Sequence, residues 1–227
     1  MGENYQLQLD HILEQIQQES RVPRLLLHSC CGPCSTYVLE YLSDFFDITV
    51  YYYNPNIYPK EEYDFREAEQ EDLIRRLPSK HPIHFQKAVY DPEDYYQKVR
   101  GHEGDPERGD RCSLCYRLRL EEAARWAREG SYDYFTTTLS LSPHKDAQRL
   151  NEIGRILEEE YGVAYLYSDF KKRNGFKRSK ELTDEYGMYR QDYCGCFFSY
   201  QARQVHEAKK MRQDIERKGE GGPATQA

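Results

Sequence analysis

Residues 24–34 read RLLLHSCCGPC, a short apolar run followed at once by three cysteines. Such a nearly continuous apolar run is typical of a strand buried in a parallel sheet, which is covered by helices on both faces. Ser35 follows, and it predicts the cap of a helix that carries Val38, Leu39 and Leu42 on its apolar side. The three cysteines are therefore predicted to occupy a turn from a strand into a helix.

The rest of the chain repeats this alternation of strand and helix. Further strands are predicted from β-branched and aromatic runs at residues 48–53, 83–89, 134–139 and 163–167. Helices are predicted at residues 10–19, 60–77, 112–129 and 143–160. This order indicates an α/β fold with a doubly wound, mostly parallel, Rossmann-like sheet, in which ligands bind beyond the carboxyl ends of the strands.

Two regions fall outside that alternation. Residues 91–110 are hydrophilic and contain three glycines, which predicts a mobile loop. After residue 169 the pattern predicts only short polar helical pieces. We expect a single α/β metalloenzyme domain over residues 1–200 and a C-terminal helix with a disordered tail over residues 201–227, the tail beginning near residue 218.

Bulk composition limits the class of protein. The chain has 227 residues, 38% hydrophobic and 31% charged, which suits one domain with a real core. It contains no apolar run long enough for a membrane span and no secretory signal pattern, so the cytoplasm is the expected location. A net charge of -7 argues against a nonspecific nucleic-acid binder.

Seven cysteines fall into three tight groups, which are residues 30, 31 and 34, residues 112 and 115, and residues 194 and 196. Cytoplasmic thiols stay reduced, so an odd number of cysteines in such groups indicates metal or redox chemistry and argues against a disulfide framework. Scattered single cysteines would instead have suggested small buried apolar residues. Only a fold that brings distant loops together could make one site of these groups.

Four of these cysteines suit one metal centre. The turn at Gly32 and Pro33 lets Cys30 and Cys31 face the same centre, and the spacing of Cys112 and Cys115 puts both on one face of a helix start. The positive end of that helix is expected to lower the pKa of both thiols. Four thiolates fit either zinc or an iron–sulfur cluster. A closed zinc site leaves no use for the other three cysteines, which favours the cluster.

Cys194, Gly195 and Cys196 form the remaining pair and its spacer. The glycine permits the backbone excursion that a strained disulfide in a small ring requires, and such disulfides are the catalytic ones. Alternatively, the two thiols could hold a second metal together with Cys34. The redox pair is the favoured interpretation, and both remain open at this point.

A basic run interrupts this acidic chain at residues 171–180. It contains six positive charges and no acid, and it lies shortly before the last cysteine pair. A solvated surface loop is the ordinary meaning of such a run. Phe176 inside it offers a stacking face for a splayed base, which favours a phosphate-bearing macromolecule as the partner. His28 is interpreted as a packed histidine at a strand end and not as a ligand.

Five ordered motifs carry a resemblance that spans about residues 24–200. They are HSCCGPCS at 28–35, YYYNPNIYP at 51–59, RCSLCYRLRL at 111–120, TTTLSLSPHKD at 136–146 and YCGCFFS at 193–199. Together they make the chain similar to the QueH type of epoxyqueuosine reductase. That family reduces the epoxide of epoxyqueuosine at the wobble position of tRNA to give queuosine, and its fold resembles nucleotide-binding α/β hydrolase-like domains.

The resemblance implies specific roles for the cysteines of this chain. It implies a 4Fe-4S cluster held by Cys30, Cys31, Cys112 and Cys115, with Cys194 and Cys196 as a redox-active pair. Some members are described with an additional iron beside the cluster, and many carry aspartate where this chain has Cys34. Cys34 is therefore a candidate ligand of that iron or an idle residue.

The implied partners are tRNA and an external electron donor. The anticodon loop would be gripped by the basic run through Lys171, Lys172, Arg173, Lys177, Arg178 and Lys180. We expect the wobble base to be extruded into the site, with iron acting on the epoxide oxygen and the cysteine pair, or the reduced cluster with iron, supplying electrons. Two alternatives remain, a sulfur-transfer or thiol-disulfide enzyme acting on tRNA and a zinc-bearing RNA-binding module without catalysis.

Overall fold

Five parallel strands form one sheet in the computed structural model, which describes residues 3–219 and their side chains as far as residue 213. The sheet order is β3-β2-β1-β4-β5. Its strands are β1 (Arg24–His28), β2 (Asp47–Tyr52), β3 (Ile83–Lys87), β4 (Tyr134–Thr137) and β5 (Ala164–Tyr165). All five lie where strands were predicted, and three of them are two or three residues shorter than predicted.

Helices connect the strands and extend the chain beyond them. They are α1 (Tyr5–Gln18), α2 (Gly32–Leu42), α3 (Lys60–Arg76), α4 (Pro92–Lys98), α5 (Asp110–Glu129), α6 (Ala147–Tyr161), α7 (Gly175–Glu185) and α8 (Phe197–Gly219). The alternation of strand and helix confirms the predicted doubly wound α/β fold.

The central strand β1 separates two apolar layers, because successive side chains of a strand point to opposite faces. Leu25 and Leu27 pack into a core with α1, α2 and α3, whereas Leu26 packs into a second core with α5 and α6. All three leucines are fully buried. The apolar run of this strand is therefore continuous because helices cover both of its faces.

The direction of winding reverses between β1 and β4. Leu26 lies opposite Thr49 of β2 on one side and Phe135 of β4 on the other, and all these pairings are parallel. The connections from β1 run outward through β2 to β3, and the chain then returns to β4 on the other side of β1. A crevice forms at such a reversal, beyond the carboxyl ends of the two strands.

The prediction of a mobile loop over residues 91–110 is wrong for residues 92–98, which form α4. Asp91 caps this helix by accepting a hydrogen bond from the Glu93 backbone N–H at 3.0 Å, and Pro92 occupies its first turn. Tyr95 and Val99 are buried beside Cys115 of α5. Local capping and this pair of apolar side chains outweigh the hydrophilic composition of the segment.

The predicted cap at Ser35 is also wrong. Helix α2 begins at Gly32 with Pro33 in its first turn, and Cys31 holds the capping position in an extended conformation. Ser35 lies inside the helix, where its hydroxyl donates to the Gln70 side chain at 2.7 Å. The helix thus begins within the cysteine motif itself.

The predicted C-terminal helix is present, and the segment before it is more helical than the predicted short pieces. Helix α7 occupies most of the basic run, and α8 continues for 23 residues. The predicted disordered tail at residues 218–227 is helical at 218 and 219, and residues 220–227 lie outside the described part of the chain. Across residues 3–219, no helix combines the length and the apolar character that crossing a membrane requires.

Gly154 of α6 allows a close helix-to-strand contact. A β-carbon built at this position would lie 2.4 Å from the ring of the buried Tyr165. Gly154→Val is expected to lower the free energy of unfolding by about 2–3 kcal/mol, because the core cannot accept the added volume. Urea unfolding measures this change. Gly104→Val is the control, since no atom lies within 4 Å of its added β-carbon, and equal losses in the two variants would contradict the packing argument.

Candidate metal and redox site

Loops at the crevice between β1 and β4 converge on one cavity of about 310 Å³. The loop after β1 contributes Cys30 and Cys31, the first turn of α2 contributes Cys34, the segment before α6 contributes Lys145, and the segment before α8 contributes Cys194. Arg66 of α3 lines the same cavity. The sheet thus brings together residues more than 150 positions apart, at the edge where parallel α/β folds bind ligands.

The first cysteine group is compact enough to hold a metal ion. The sulfur atoms of Cys30, Cys31 and Cys34 all lie within 4.8 Å of one another, and those of Cys30 and Cys31 are 3.7 Å apart. Hydrogen bonds from the Cys31 and Cys34 thiols lower the pKa of Cys30 well below its ordinary value. A thiolate supported by two further thiols is a donor set that soft metals prefer.

The second group opens α5, as predicted. The Arg108 backbone N–H points at the Cys112 sulfur at 3.3 Å, and Cys115 is only 6% exposed. The predicted lowering of their pKa values is wrong, because burial raises the pKa of Cys112 and raises that of Cys115 to about 12. Desolvation therefore outweighs the helix end for these two thiols. Their ionisation calls for a compensating cation, which a bound metal provides.

The third group places its two thiols in different surroundings. Cys194 lines the cavity, and the Lys145 ammonium group donates to its sulfur at 2.6 Å. Cys196 is 7% exposed and packs against Tyr95. Gly195 between them has a φ of +113°, a conformation that favours glycine. All seven cysteines of the chain are free thiols in this structure.

A buried cation lies among the cysteine groups. Arg119 is 2% exposed, its Nε donates to the Cys115 carbonyl at 3.2 Å, and its Nη2 has no hydrogen-bond partner among the described residues. Burial alone would lower the pKa of Arg119, but Cys115, Cys194 and Cys30 raise it above its ordinary value. A buried guanidinium is costly unless an anion lies beside it. The site therefore favours an anionic group next to Arg119.

Lys145, Arg119 and Arg66 are site residues that the sequence reasoning did not single out. Lys145 lies in the motif at residues 136–146, and Arg119 follows Cys115 by four residues, so it shares a helix face with that cysteine. That spacing was available as a signal. Arg66 carried no comparable signal, because it comes from the middle of α3, where its Nε donates to Glu62 at 2.7 Å.

The six basic residues of the run separate into two sets. Lys171 pairs with Asp169 at 2.9 Å, Arg173 with Asp10, and Arg178 with Glu40 at 2.6 Å. The other three are exposed and have no ion pair among the residues whose side chains are described, namely Lys172, Lys177 and Lys180. Half of the positive charges of the run are therefore neutralised by ion pairs within the chain, which the sequence did not reveal.

A smaller cavity of about 220 Å³ joins the basic run to the cysteines. Phe176 and Lys180 of α7 line it together with Cys34, which also lines the larger cavity. Phe176 is 41% exposed. An aromatic face and a positive charge thus lie in a cavity that shares Cys34 with the cysteine site.

His28 is fully buried at the end of β1. Its Nδ1 lies 2.8 Å from the Thr137 hydroxyl oxygen and its Nε2 lies 3.1 Å from the Tyr53 carbonyl oxygen. Burial lowers its pKa to about 3, so the ring is neutral. Both ring nitrogens are used within the fold, in agreement with a packed histidine.

Comparisons with known proteins match the part of the chain that contains this site. A family model described as "Epoxyqueuosine reductase QueH" matches residues 25–202, which include all three cysteine groups. Proteins of that name from Streptococcus pyogenes serotype M1 and Staphylococcus epidermidis are 43% and 41% identical to the chain, over 88% and 94% of it and 80% and 91% of their own lengths. One from Thermotoga maritima is 31% identical over 83% of the chain and 96% of its own length. The chain belongs to the epoxyqueuosine reductase QueH family.

Proposed function

We propose that this protein reduces the epoxide of epoxyqueuosine in tRNA to the alkene of queuosine, in the cytoplasm. One observation carries the proposal most strongly. In this QueH-family chain, cysteines of the first and third groups line one cavity at the crevice between β1 and β4, and Cys115 of the second group packs with Cys196 of the third. A packed core needs no such collection of reduced thiols, whereas redox chemistry does.

A 4Fe-4S cluster is the cofactor that these residues fit best, held by Cys30, Cys31, Cys112 and Cys115. Among the cysteines, only the sulfur atoms of Cys30, Cys31 and Cys34 lie within 4.8 Å of one another, a spacing that suits a single metal ion. A 4Fe-4S cluster is larger, so its four ligands must be spaced more widely around it. A cluster held by four thiolates carries net negative charge. The unpartnered Nη2 of Arg119 supports an anion of this kind at the site. When bound, the cluster would supply electrons one at a time.

Cys34 is proposed as a ligand for one additional iron. Its sulfur lies beside those of Cys30 and Cys31, and it lines the cavity. Hydrogen bonds from its thiol contribute to the lowered pKa of Cys30. A thiolate at this position is a ligand type that suits iron.

The reaction requires two electrons and two protons, because an epoxide oxygen leaves as water. The dithiol formed by Cys194 and Cys196 can supply both, and it becomes a disulfide in doing so. An external electron donor must then restore the two thiols. Lys145 at the cavity offers a proton close to Cys194, at 2.6 Å from its sulfur.

The tRNA is proposed to approach across α7, with the modified base turned into the cavity. Enzymes that act on a base generally extrude it from its stack. Phe176 would stack on a neighbouring base, and the exposed cations Lys172, Lys177 and Lys180 would contact phosphates. Arg178 would hold α7 against α2 through its ion pair with Glu40.

Lys180→Glu is expected to weaken tRNA binding several-fold and to lower the slope of log affinity against log salt by about 1, since one phosphate contact is lost. Salt titration of tRNA binding measures both quantities. Lys80→Glu is the matched control, because Lys80 is an exposed lysine in the loop between α3 and β3. The same loss in both variants would contradict a specific role for the basic run.

Expression of the chain in a bacterium that accumulates epoxyqueuosine in its tRNA tests the proposed activity. The tRNA nucleosides of the complemented cells should contain queuosine in place of epoxyqueuosine. Cells that express the Cys112→Ala variant serve as the control, and they should keep the epoxide. Epoxyqueuosine that persists in cells containing the wild-type protein would contradict the proposal.

A further inference from the structure

We infer that the two thiols of the CxC pair have different tasks. Cys194 bonds to the substrate, Lys145 is its proton donor, and Cys196 closes the disulfide. This assignment rests on the proposed function and deepens it, because it states which atom of the protein reacts with the epoxide.

Lys145 is placed to serve Cys194. Its Nζ lies 2.6 Å from the Cys194 sulfur and 5.9 Å from the centre of the Tyr116 ring, and both Lys145 and Cys194 line the cavity. Among the described residues, no carboxylate forms an ion pair with Lys145. Burial alone would lower the pKa of Lys145, but Cys194 and Tyr116 raise it. The ammonium group of Lys145 therefore has the Cys194 sulfur as its hydrogen-bond partner and lies where it can deliver a proton into the cavity.

Cys196 is held away from the cavity. It is 7% exposed and packs in a cluster with Tyr95, Val99 and Cys115. Its carbonyl accepts a hydrogen bond from the Tyr200 N–H at 2.9 Å, and the Ser199 backbone N–H points at its sulfur at 3.5 Å, so it caps the start of α8. A substrate in the cavity therefore meets Cys194 first.

Gly195 allows the backbone between the two cysteines to turn so that their sulfur atoms can form a disulfide. Its φ of +113° turns the backbone between the two cysteines, and its carbonyl accepts a hydrogen bond from the Tyr58 N–H at 2.8 Å. A β-carbon at this position would lie 3.1 Å from Arg66 Nη1. The spacer is thus a glycine for both conformational and steric reasons, and no side chain separates the two sulfur atoms.

The chemistry balances without any further reactant in a single turnover. The Cys194 thiolate bonds to one epoxide carbon, the C–O bond breaks, and Lys145 protonates the released oxygen. Cys196 then gives up its proton and bonds to the Cys194 sulfur, the S–C bond breaks, its electron pair forms the alkene, and hydroxide leaves and takes up that proton as water. Two sulfur atoms are oxidised and the epoxide is reduced by two electrons. An external dithiol reductant then restores both thiols and the proton of Lys145.

Trapping the first bond tests the assignment. The Cys196→Ser variant, loaded with its cofactor, is incubated with an anticodon stem-loop RNA that carries epoxyqueuosine, digested with nuclease and protease, and analysed by peptide mass spectrometry. The peptide containing Cys194 should carry the substrate nucleotide in near-stoichiometric amount. Cys194→Ser should carry no such adduct on Cys196, and the double serine variant should form none.

The possible outcomes distinguish a failure of this inference from a failure of the proposed function. Wild-type protein that makes queuosine, with no adduct on Cys194 in Cys196→Ser, would overturn the inference and leave the proposed function standing. An adduct on Cys196 in Cys194→Ser would also overturn it, because the assigned order would be reversed. Wild-type protein that leaves the epoxide intact would overturn the proposed function and the inference together.

The role of Lys145 has a readout that does not depend on turnover. Alkylation of Cys194 by iodoacetamide at pH 7, measured by peptide mass spectrometry on the reduced holoprotein, should slow about tenfold in Lys145→Met, because the reacting sulfur loses the ammonium group that donates a hydrogen bond to it. Lys145→Arg should restore most of the rate, and Lys80→Met should leave it unchanged. An unchanged rate in a folded Lys145→Met variant that retains its cofactor would remove Lys145 from the assignment.

Discussion

Changing Cys112 to alanine is expected to leave the purified protein without its iron–sulfur chromophore and to abolish reduction of epoxyqueuosine. Cys112 lies at the start of α5, where it and the buried Cys115 are proposed to supply two of four cluster ligands. Three thiolates leave one iron without its protein ligand and open to solvent. Iron and acid-labile sulfide counts per chain after anaerobic purification measure the loss, together with visible absorption.

Ser113→Ala is the matched control for that variant. Ser113 lies next to Cys112, and its hydroxyl donates to the Gly109 carbonyl at 3.3 Å, so the substitution disturbs the same helix start without removing a thiol. This control should retain about four sulfide and about five iron per chain, four iron from the 4Fe-4S cluster and one from the additional iron proposed at Cys34. A coloured and active Cys112→Ala variant would contradict the ligand assignment. Zinc without sulfide in the wild-type protein would contradict the cluster itself.

Serine at Cys194 or at Cys196 is expected to produce a different defect. Each variant should keep the cluster, because neither residue is a proposed ligand, yet turnover should fall by about a thousandfold or more, on the order of the loss when a catalytic nucleophile is removed. The physical reason is that a single thiol cannot form the disulfide that supplies two electrons. Multiple-turnover formation of queuosine, with iron counts on the same samples, measures the separation of the two effects.

Comparison of these serine variants with Cys112→Ala controls for the loss of any single thiol from the site. All three remove one thiol from the same site, and only Cys112→Ala should lose iron. Undiminished turnover in either serine variant would remove the pair from the mechanism. Loss of iron in Cys194→Ser would show that Cys194 is a metal ligand, which would contradict the redox assignment.

The sequence was sufficient to predict the sheet because its central strands are marked by continuous apolar runs. The run from Leu25 to Leu27 is buried on both faces, and this pattern predicted a parallel sheet with helices on both sides. The location of the cysteines followed from the same pattern, since loops after parallel strands meet at one edge. The helix over residues 92–98 was missed because its stability depends on contacts of Tyr95 and Val99 with α5, which local composition does not reveal.

Electrostatics inside the site could not be predicted from spacing. A helix start predicted lowered pKa values for Cys112 and Cys115, but the burial that raises them depends on how the tertiary structure covers them. The pairing of Arg173 with Asp10 and of Arg178 with Glu40 likewise joins residues far apart in the chain. The contact between Lys145 and Cys194, 49 positions apart, is the most consequential example, because it distinguishes two cysteines that the sequence presents as equivalent.

Nucleoside analysis of tRNA after a single incubation tests the central claim most directly. The reduced, cluster-loaded wild-type protein is mixed in equimolar amount with tRNA that carries epoxyqueuosine, and the digested nucleosides are measured by mass spectrometry. We expect epoxyqueuosine to disappear and an equal amount of queuosine, lighter by one oxygen atom, to replace it. Epoxyqueuosine that remains unchanged while the tRNA is bound to the loaded protein would contradict reduction of the epoxide by this protein.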